Sequence, residues 1–419
     1  MLEKIILFFL FFLPFQFALH PVEGVDLALV RVVAIIIFLL WLARSLLRKS
    51  VLFPQPLPLF FFFSYLLWAS LSLFWSENTD WALRKALFIL SLWPLFLLFF
   101  SFTREKNFRE KAYKSLVLGA ILISALSLIQ FFSQFIFGVE QVFSFWTRVL
   151  LPFFLGPDFG ATVASYPSLL VNISGNTLMR AIGFFPDPHM LSFFLGMTFP
   201  LAIAHVFHGE SRKRKFWIFG AGIILLADLL TFSRGGYVGL FFGMGAFFLP
   251  LFLQSITWRR QLVRLGLPAL FLVSLIFLSP VGTRFFSSFS GDDGSSVERL
   301  RLWQEAGNSI IKYPLLGTGL GNYSLSVKPT ASYREPIYVH NLYLDVAVEL
   351  GLVGLFFFGG FLFLGVFSAL RKWRKEQDIF SLALFSSLIV FSAHSFFETP
   401  LFSVHIVPLL LFLVAGSVL

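Results

Sequence analysis

Long apolar segments recur along almost the whole chain, and they limit its fold more than any other feature. A helix needs ~20 mostly apolar residues to cross the hydrocarbon of a bilayer, and the sequence holds about twelve such segments. They lie at 4–19, 26–46, 56–75, 82–102, 113–137, 189–207, 216–233, 235–254, 263–281, 342–369, 379–396 and 400–418. The mean hydropathy of +0.84 and a charged fraction of 13% exclude a soluble globular domain. The sequence therefore predicts an all-α polytopic membrane protein with about 12 transmembrane helices.

The first segment, 4–19, follows Lys4 and has the length of a signal peptide. Its last residues, FALHP, lack the small-residue cleavage pattern of such a peptide, and further spans follow. We therefore expect a retained helix. The chain has no cysteine, which suits an extracytoplasmic face without establishing a compartment.

Lys and Arg are concentrated in alternate loops, and this predicts the orientation of the chain. With the N-terminus inside, the basic inside loops are 44–49, 103–114, 211–215, 258–264 and 371–375. Together with Lys4 they hold more than half of the 32 Lys and Arg residues. The net charge of +10 then reflects topology. The predicted partner is the lipid bilayer, and no nucleic acid is expected.

Two predicted outside loops are long, at 138–188 and 282–341. Both interrupt the hydropathy pattern with Gly, Pro, Ser and Asp, and loops of that length usually carry function. We assign 1–419 to a single integral membrane domain. Within it, 138–188 is an extracytoplasmic loop, and 282–341 is a large extracytoplasmic (periplasmic) loop that contains short helices.

A helix is predicted at about residues 297–311 of the second loop. Ser295 and Glu298 have the spacing of a capping box. An apolar stripe indicates that the helix lies against the membrane domain. The stripe is Leu300, Trp303, Gly307 and Ile310. Arg301 can pair with Glu305 one turn later, and for Arg299 and Arg301 structural and substrate-binding roles are equally open.

Three arginines and one histidine fall at the predicted outer boundary, although they are far apart in the chain. Arg84 opens the fourth segment, Arg180 precedes the sixth, Arg234 lies in the tight turn after the seventh, and His340 opens the tenth. A charge at the edge of the hydrocarbon is a functional candidate by default. The pattern therefore favours one site on the outer face.

Arg234 is the strongest of these functional candidates. Its turn, TFSRGGYVG, has little room, and Gly235 and Gly236 would let a ligand approach the backbone closely. An anion ligand is the favoured role, with a structural ion pair to Asp228 as the alternative. For Arg180 an anion ligand is again the favoured role, and a side chain that faces the lipid headgroups is the alternative. For Arg84 the role of an ordinary interfacial arginine is a strong alternative.

His340 stands where a polar loop changes into an apolar helix, in YVHNLYLDVAVELGLVG. On a helix that begins there, His340, Ala347 and Gly351 share a face whose small residues let another helix come close. The partial positive charge at a helix N-terminus favours the neutral imidazole and attracts anions. A neutral histidine beside an anion site suits a general base. The alternative is a capping or interfacial histidine.

Two further histidines lie on the same predicted side. His189 starts the sixth segment, and His394 ends the eleventh with Glu398 one helical turn later. The sequence has neither HExxH nor CxxC, so we predict no metal site and no cofactor. The candidate accessory residues of the site are Asn341, Arg301, His189 and His394.

These blocks resemble the O-antigen ligase and polymerase superfamily of bacterial membrane glycosyltransferases. The resemblance rests on His340-Asn341 followed by Gly351 and Gly354, and on SRGGYVGL (233–240), RAIGFFPDPHMLS (180–192) and RLWQEAGNSIIKYPLLGTGLGNY (301–323). It implies transfer of a glycan from undecaprenyl diphosphate without nucleotide, metal or cofactor. By the same resemblance Arg180 and Arg234 bind the diphosphate, Arg84 does so on a thinner match, and His340 is the catalytic base.

The resemblance also implies a location and a set of acceptors. The protein would be a multi-pass protein of the bacterial inner (cytoplasmic) membrane, with its active site on the periplasmic face. We expect an O-antigen ligase that uses the lipid A core oligosaccharide, with a polymerase of O-antigen or exopolysaccharide as the alternative. A lipid-linked glycan flippase, from another class, would place charges along a central path. Asp228 is the one clear mid-span charge in this sequence.

Overall fold

The structure is a computed structural model that describes residues 1–22, 25–49, 51–173, 175–208, 211–254, 294–333 and 337–418. This described part is mostly helical, and seven of its helices are long and apolar enough to cross a membrane. They are Leu29–Leu47, Pro56–Phe74, Thr79–Thr103, Lys106–Phe137, Pro188–His208, Arg234–Gln254 and Leu342–Glu376. The chain is therefore a multi-pass membrane protein. The total of about twelve spans stays a prediction, and the ninth predicted segment, 263–281, lies outside the described residues.

The described helices follow the order of the predicted segments. They are α1 Leu2–Phe12, α2 Leu29–Leu47, α3 Pro56–Leu71, α4 Thr79–Leu92, α5 Leu95–Thr103, α6 Lys106–Phe137, α7 Val139–Phe145, α8 Leu151–Leu155, α9 Pro157–Ala164, α10 Pro188–His208, α11 Ser211–Leu229, α12 Arg234–Gln254, α13 Gly294–Lys312, α14 Tyr323–Val327, α15 Leu342–Glu376, α16 Ile379–His394 and α17 Ile406–Ser417. Short 3-10 turns at Leu13–Phe15, Ser72–Phe74 and Pro167–Leu169, and a π-helical turn at Trp146–Leu150, complete the helical structure.

Two predicted segments are interrupted at prolines. In the first, α1 ends at Phe12, a 3-10 turn containing Pro14 follows, and β1 (Ala18–Val22) then pairs antiparallel with β2 (Val25–Ala28). In the fourth, α4 ends two residues before Pro94 and α5 begins directly after it. A proline lacks the N–H of a helical hydrogen bond and restricts the residue before it, which explains both interruptions.

The first long loop, 138–188, has a fold of its own. It contains α7, α8 and α9, followed by an antiparallel hairpin in which β3 (Leu170–Ile173) pairs with β4 (Asn176–Met179). Apolar side chains of these elements form a small separate core. This packing fixes where the chain enters α10. The extracytoplasmic position of the loop stays a prediction.

Helices α10, α16 and α17 form the centre of the bundle. Every residue of α17 is buried, and α10 is buried along nearly its whole length. By contrast, α2 and α12 expose large apolar side chains such as Ile36, Leu39 and Phe241. Apolar side chains on the outside of a bundle suit contact with lipid, where the backbone bonds of a helix are satisfied internally.

The predicted loop helix forms as α13 and is longer than expected at its N-terminal end. Its buried face is shifted by comparison with the predicted stripe, because Leu300 is 58% exposed whereas Ala306 is fully buried. Trp303 Nε1 donates a hydrogen bond to the Val339 carbonyl oxygen at 3.1 Å. This contact places α13 beside the chain segment that leads into α15.

Helix α15 is broken at Gly351, which has φ +67°. A Cβ atom there would lie 2.0 Å from the Leu315 carbonyl oxygen. The Leu352 N–H donates to the Pro314 carbonyl at 2.8 Å, and the Gly319 N–H donates to the Glu349 carbonyl at 2.9 Å. The expectation that Gly351 serves a helix–helix contact is therefore wrong. The glycine admits the backbone of the 314–319 loop, which satisfies polar groups freed by the break.

Candidate active site

Four helix ends bring five titratable side chains to one end of the bundle. His340 precedes α15, His189 lies in the first turn of α10, Arg234 begins α12, and His394 ends α16 with Glu398 shortly after it. These ends are the ones that the sequence predicts to face outward. The structure thus brings together residues that are more than two hundred positions apart in the chain.

Glu398 is the centre of this cluster. Its Oε2 lies 2.8 Å from His340 Nδ1, and its Oε1 accepts a hydrogen bond from Arg299 Nη2 at 2.9 Å. His189 Nε2 lies 3.8 Å from the same Oε1. The Glu398 side chain is only 9% exposed. No sequence motif predicts this role of Glu398, which follows His394 by one helical turn; its position at the end of an apolar span is the signal that could have identified it.

Hydrogen bonds between residues near His340 and residues near Glu398 hold the two loops together. The Leu342 N–H donates to the Ser395 carbonyl at 2.9 Å. Asp345 accepts from the Val339 N–H at 3.0 Å and from the Thr399 hydroxyl. Val339 and Thr399 directly adjoin His340 and Glu398, so the two functional side chains are held on a common frame.

His340 lies outside the helix that it was expected to open. Asn341 caps α15, because its side-chain oxygen accepts from the N–H groups of Tyr343 at 3.0 Å and Leu344 at 3.2 Å. His340 itself has φ +53°, a left-handed conformation that is uncommon for a residue other than glycine. Its side chain is 42% exposed, so the imidazole is accessible from outside the protein.

The charges around His340 reverse one expectation of the sequence analysis. Burial disfavours the charged imidazole, but the charge and hydrogen bond of Glu398 outweigh it and raise the pKa of His340 above its ordinary value. Burial of Glu398 is likewise outweighed by His189, His340 and Arg299, which hold the pKa of that carboxyl well below its usual range. The direction of this pKa shift is opposite to the one expected from the helix N-terminus alone.

His189 and His394 form a second line of contacts through Ser233. His189 Nδ1 lies 3.0 Å from Ser233 Oγ, which lies 3.3 Å from His394 Nε2. The His394 ring is buried and stacks on Phe193 with centroids 3.6 Å apart. The line joins α10, the start of α12 and the end of α16. His394 is thus placed to support the site from the bundle interior.

The glycines beside Arg234 serve packing. A Cβ atom on Gly235 would lie 2.8 Å from His394 Cδ2, and one on Gly236 would lie 1.9 Å from Ser192 Oγ. The space that the sequence analysis reserved for a ligand is filled by these side chains. Arg234 itself begins α12 and is half-buried, next to Ser233 in the cluster.

Arg180 is buried and makes hydrogen bonds to the protein backbone. Its Nε donates to the Thr231 carbonyl at 2.6 Å, and its Nη1 donates to the Ser168 carbonyl at 3.0 Å. Thr231 precedes Arg234 in the turn between α11 and α12. Arg180 therefore holds that turn against the 138–188 loop.

Of the two neighbouring basic residues in α4, Lys85 is the one that turns inward. Arg84 is exposed and stacks over the Tyr333 ring at 5.0 Å. Lys85 Nζ lies 2.7 Å from Glu349 Oε1 and 4.4 Å from the centre of the Phe402 ring. Lys85 also lines a pocket with Tyr338 and Thr399, beside the His340 loop. No motif in the sequence predicts this position of Lys85, which directly follows Arg84.

The two arginines of α13 have different surroundings. Arg301 is 54% exposed and pairs with Glu298 and Glu305 of its own helix. Arg299 is 21% exposed and reaches Glu398. The contacts that the structure gives these two residues assign Arg299 to the cluster and Arg301 to the surface of α13.

A metal site is not evident in this cluster as far as the structure describes it. In the described ranges, the one group of three histidine or acidic ligand atoms within 4.8 Å of each other is His20, Asp26 and Asp158. These residues lie on the first hairpin and at the start of α9. There, Asp26 already contacts His20 Nδ1 at 2.9 Å and accepts from the Phe159 N–H at 2.6 Å. The expectation of a metal-independent protein stays a prediction.

Comparison with known proteins finds a family match over about a third of the chain. The family model described as O-antigen ligase matches residues 219–359, which include Arg234 and His340. The chain is also similar to the exopolysaccharide production protein ExoQ of Rhizobium meliloti (strain 1021), with 24% identity over 263 residues. That alignment covers 56% of this chain and 58% of the relative's length. Both findings support the resemblance of this chain to the O-antigen ligase and polymerase superfamily.

Proposed function

We propose that this protein is an inverting glycosyltransferase of the O-antigen ligase type. It moves a glycan from undecaprenyl diphosphate to the lipid A core oligosaccharide on the periplasmic side of the bacterial inner membrane. The observation that supports this most is the pairing of an accessible His340 with the buried carboxylate of Glu398, which also binds Arg299. Such a cluster offers a proton acceptor and anion ligands at the membrane boundary, where a lipid-linked diphosphate is presented.

The arginines provide the binding of the donor. A guanidinium group binds phosphate oxygens in pairs through its planar fork, so it suits a diphosphate. We assign diphosphate binding to Arg234 and Arg180. Arg84 would bind the diphosphate from the rim of the site, and Arg299 is added because it lies beside Glu398. Arginine charges that are fixed before the reaction stabilise the negative charge that develops on the leaving diphosphate.

His340 provides the proton acceptor. In the proposed reaction, the acceptor hydroxyl oxygen attacks the anomeric carbon of the donor sugar, and its proton passes to the His340 imidazole. The bond between that carbon and the diphosphate oxygen breaks, and the electron pair leaves with undecaprenyl diphosphate. Direct attack inverts the anomeric configuration. Cleavage of the bond between the sugar and the diphosphate supplies the driving force, so no nucleotide is consumed, and the arginine charges would take the place of a metal ion.

The acceptor distinguishes the ligase from the second candidate function, an exopolysaccharide or O-antigen polymerase. The similarity to an exopolysaccharide production protein favours the polymerase, whereas the description of the matched family model favours the ligase. Both reactions use the same donor arginines and the same base. Deleting the gene in its native host and separating the surface polysaccharide on a gel tests the choice. A ligase mutant leaves bare lipid A core, whereas core that carries a single repeat unit would contradict ligation.

The catalytic assignment is tested with the purified protein and the carrier-linked glycan extracted from the deletion host. We expect His340→Ala to lower transfer by ~10²-fold or more, the usual contribution of a general base. His20→Ala, a matched change on the first hairpin, should keep wild-type transfer. Transfer should also persist in EDTA without added nucleotide. Undiminished turnover by the His340 variant would remove the assignment of His340 as the base.

A further inference from the structure

We propose that Glu398 is the positioning residue of the site: it orients His340 through Nδ1 and joins it to Arg299 of the loop helix α13. This inference rests on the proposed function for its catalytic meaning. Its structural content, the link between Glu398, His340 and Arg299, can be tested without any substrate.

The geometry gives each carboxylate oxygen of Glu398 a separate partner. Oε2 faces His340 Nδ1 at 2.8 Å, and Oε1 faces Arg299 Nη2 at 2.9 Å. A carboxylate only accepts hydrogen bonds, so it selects the form of His340 that carries its proton on Nδ1. Nε2 is then the nitrogen that can take a proton from an acceptor hydroxyl. Glu398 touches no reacting atom in this arrangement, and it acts through His340.

A purely structural role for Glu398 explains the geometry less well. The two loops are already held together by the Leu342–Ser395 backbone hydrogen bond and by the contacts of Asp345 with Val339 and Thr399. These bonds do not involve the Glu398 side chain. Its buried charge is therefore additional to what the architecture needs, and burying a charge is unfavourable unless it is paired.

Among the described residues, titratable neighbours of the pair come from α10, α13 and α15 and from His394 at the end of α16. His340 faces Glu398 from the loop after α16, Arg299 from α13 and Asp345 from α15. Glu398 faces His340, Arg299 and His189 of α10, with Asp187 nearby. Of the negative groups around His340, Glu398 makes the hydrogen bond. Removing its charge should lower the pKa of His340, and removing the charge of Arg299 should raise that pKa.

These opposite shifts can be measured on the full-length protein purified in detergent. Diethyl pyrocarbonate reacts with the neutral imidazole, so the modification rate of His340 against pH, followed by peptide mass spectrometry, reports its ionisation. We expect Glu398→Gln to move the midpoint down by about one pH unit or more. Arg299→Gln should move it up. Glu298→Gln, an exposed change one residue from Arg299, should leave it in place, and Glu398→Asp should restore much of the wild-type value.

The outcomes separate this inference from the proposed function. A midpoint that does not move in Glu398→Gln, or one that moves down in Arg299→Gln, overturns the positioning role. If Glu398→Gln does not fold, the upward shift in Arg299→Gln and the near-wild-type midpoint in Glu398→Asp carry the test. If the midpoints move as expected but His340→Ala still transfers glycan, the link between the three residues stands and the proposed function fails.

The same link predicts the pH dependence of transfer. A general base works when it is neutral, so activity should fall as the pH drops through the pKa of His340. Because Glu398 raises that pKa, the acidic limb of kcat/KM should lie above about 6.5, the ordinary value for histidine. In Glu398→Gln the acidic limb of kcat/KM should move to lower pH, and kcat should fall. If Glu398 had only a structural role, its replacement would lower the yield of folded protein without moving the acidic limb.

Discussion

Arg180 differs from the other candidate anion ligands in what its guanidinium contacts. It is buried and donates to the carbonyl oxygens of Thr231 and Ser168, whereas Arg299 is partly open and pairs with a carboxylate. An arginine that donates to backbone carbonyls stabilises the local fold, in addition to any contact that it makes with a ligand nearby. The turn that it holds leads directly to Ser233 and Arg234, so Arg180 affects the site through their positions.

We therefore expect Arg180→Ala to lower stability in addition to its effect on donor use. Losing charge-assisted hydrogen bonds and leaving buried carbonyl groups unsatisfied should cost about 2 kcal/mol or more. Arg148→Ala, at an exposed position in the same loop, is the matched control and should be nearly neutral. Thermal unfolding of the purified variants measures the difference. An unchanged melting temperature in Arg180→Ala would show that its backbone contacts contribute little.

At the scale of elements, the break in α15 at Gly351 is the feature that connects the 314–319 loop to the site. The 314–319 segment inserts against the break, and Trp68 Nε1 donates to the Leu350 carbonyl at 2.8 Å. The part of α15 before the break carries Asn341 and Asp345, which frame His340. The 314–319 segment thus packs against the part of α15 that leads back to His340.

This arrangement predicts different effects for two glycines of the same helix. Gly351→Ala places a Cβ atom 2.0 Å from the Leu315 carbonyl at φ +67°, so it should destabilise the protein by about 2 kcal/mol or more. Gly359→Ala meets nothing within 4 Å and should be neutral or stabilising by up to ~1 kcal/mol. Thermal unfolding compares the two variants. Equal melting temperatures would contradict the packing at the break.

At the scale of the whole molecule, the orientation of the bundle decides which solution reaches the site. The cluster lies at the helix ends that the Lys and Arg distribution assigns to the outside. That assignment is a prediction from charge, and the proposed donor and acceptor are compatible with it. A site on the other side would meet nucleotide-activated sugars instead of a lipid-linked glycan.

The absence of cysteine from the sequence allows a direct test of this orientation. Lys328→Cys, in the second long loop, should react with a membrane-impermeant maleimide in spheroplasts. Lys106→Cys, a matched and 78% exposed position at the start of α6, should react only after permeabilisation. Labelling is read by mass shift on a gel. The reverse pattern would place the His340 end of the bundle in the cytoplasm and would contradict the proposed donor.

The sequence by itself determined the class of the protein and most helix positions, and it singled out several residues of the candidate site. Apolar length and Lys/Arg distribution depend on local composition, because the bilayer acts on each segment separately. The segments at 56–75 and 189–207 therefore appear close to their predicted bounds. His340 and Arg234 were also recognisable, since a titratable residue at a helix end stands out against an apolar background.

The tertiary structure alone decided which side chains share a partner. Glu398 lies 58 positions from His340 and 99 from Arg299, and no local pattern relates three residues on separate elements. The same holds for the Gly351 break, which needs the 314–319 backbone to fill it, and for Arg180, whose acceptors come from two other segments. Hydrogen bonds and charges act over a few ångströms in space, so the pKa of His340 depends on packing that its own sequence neighbours do not encode.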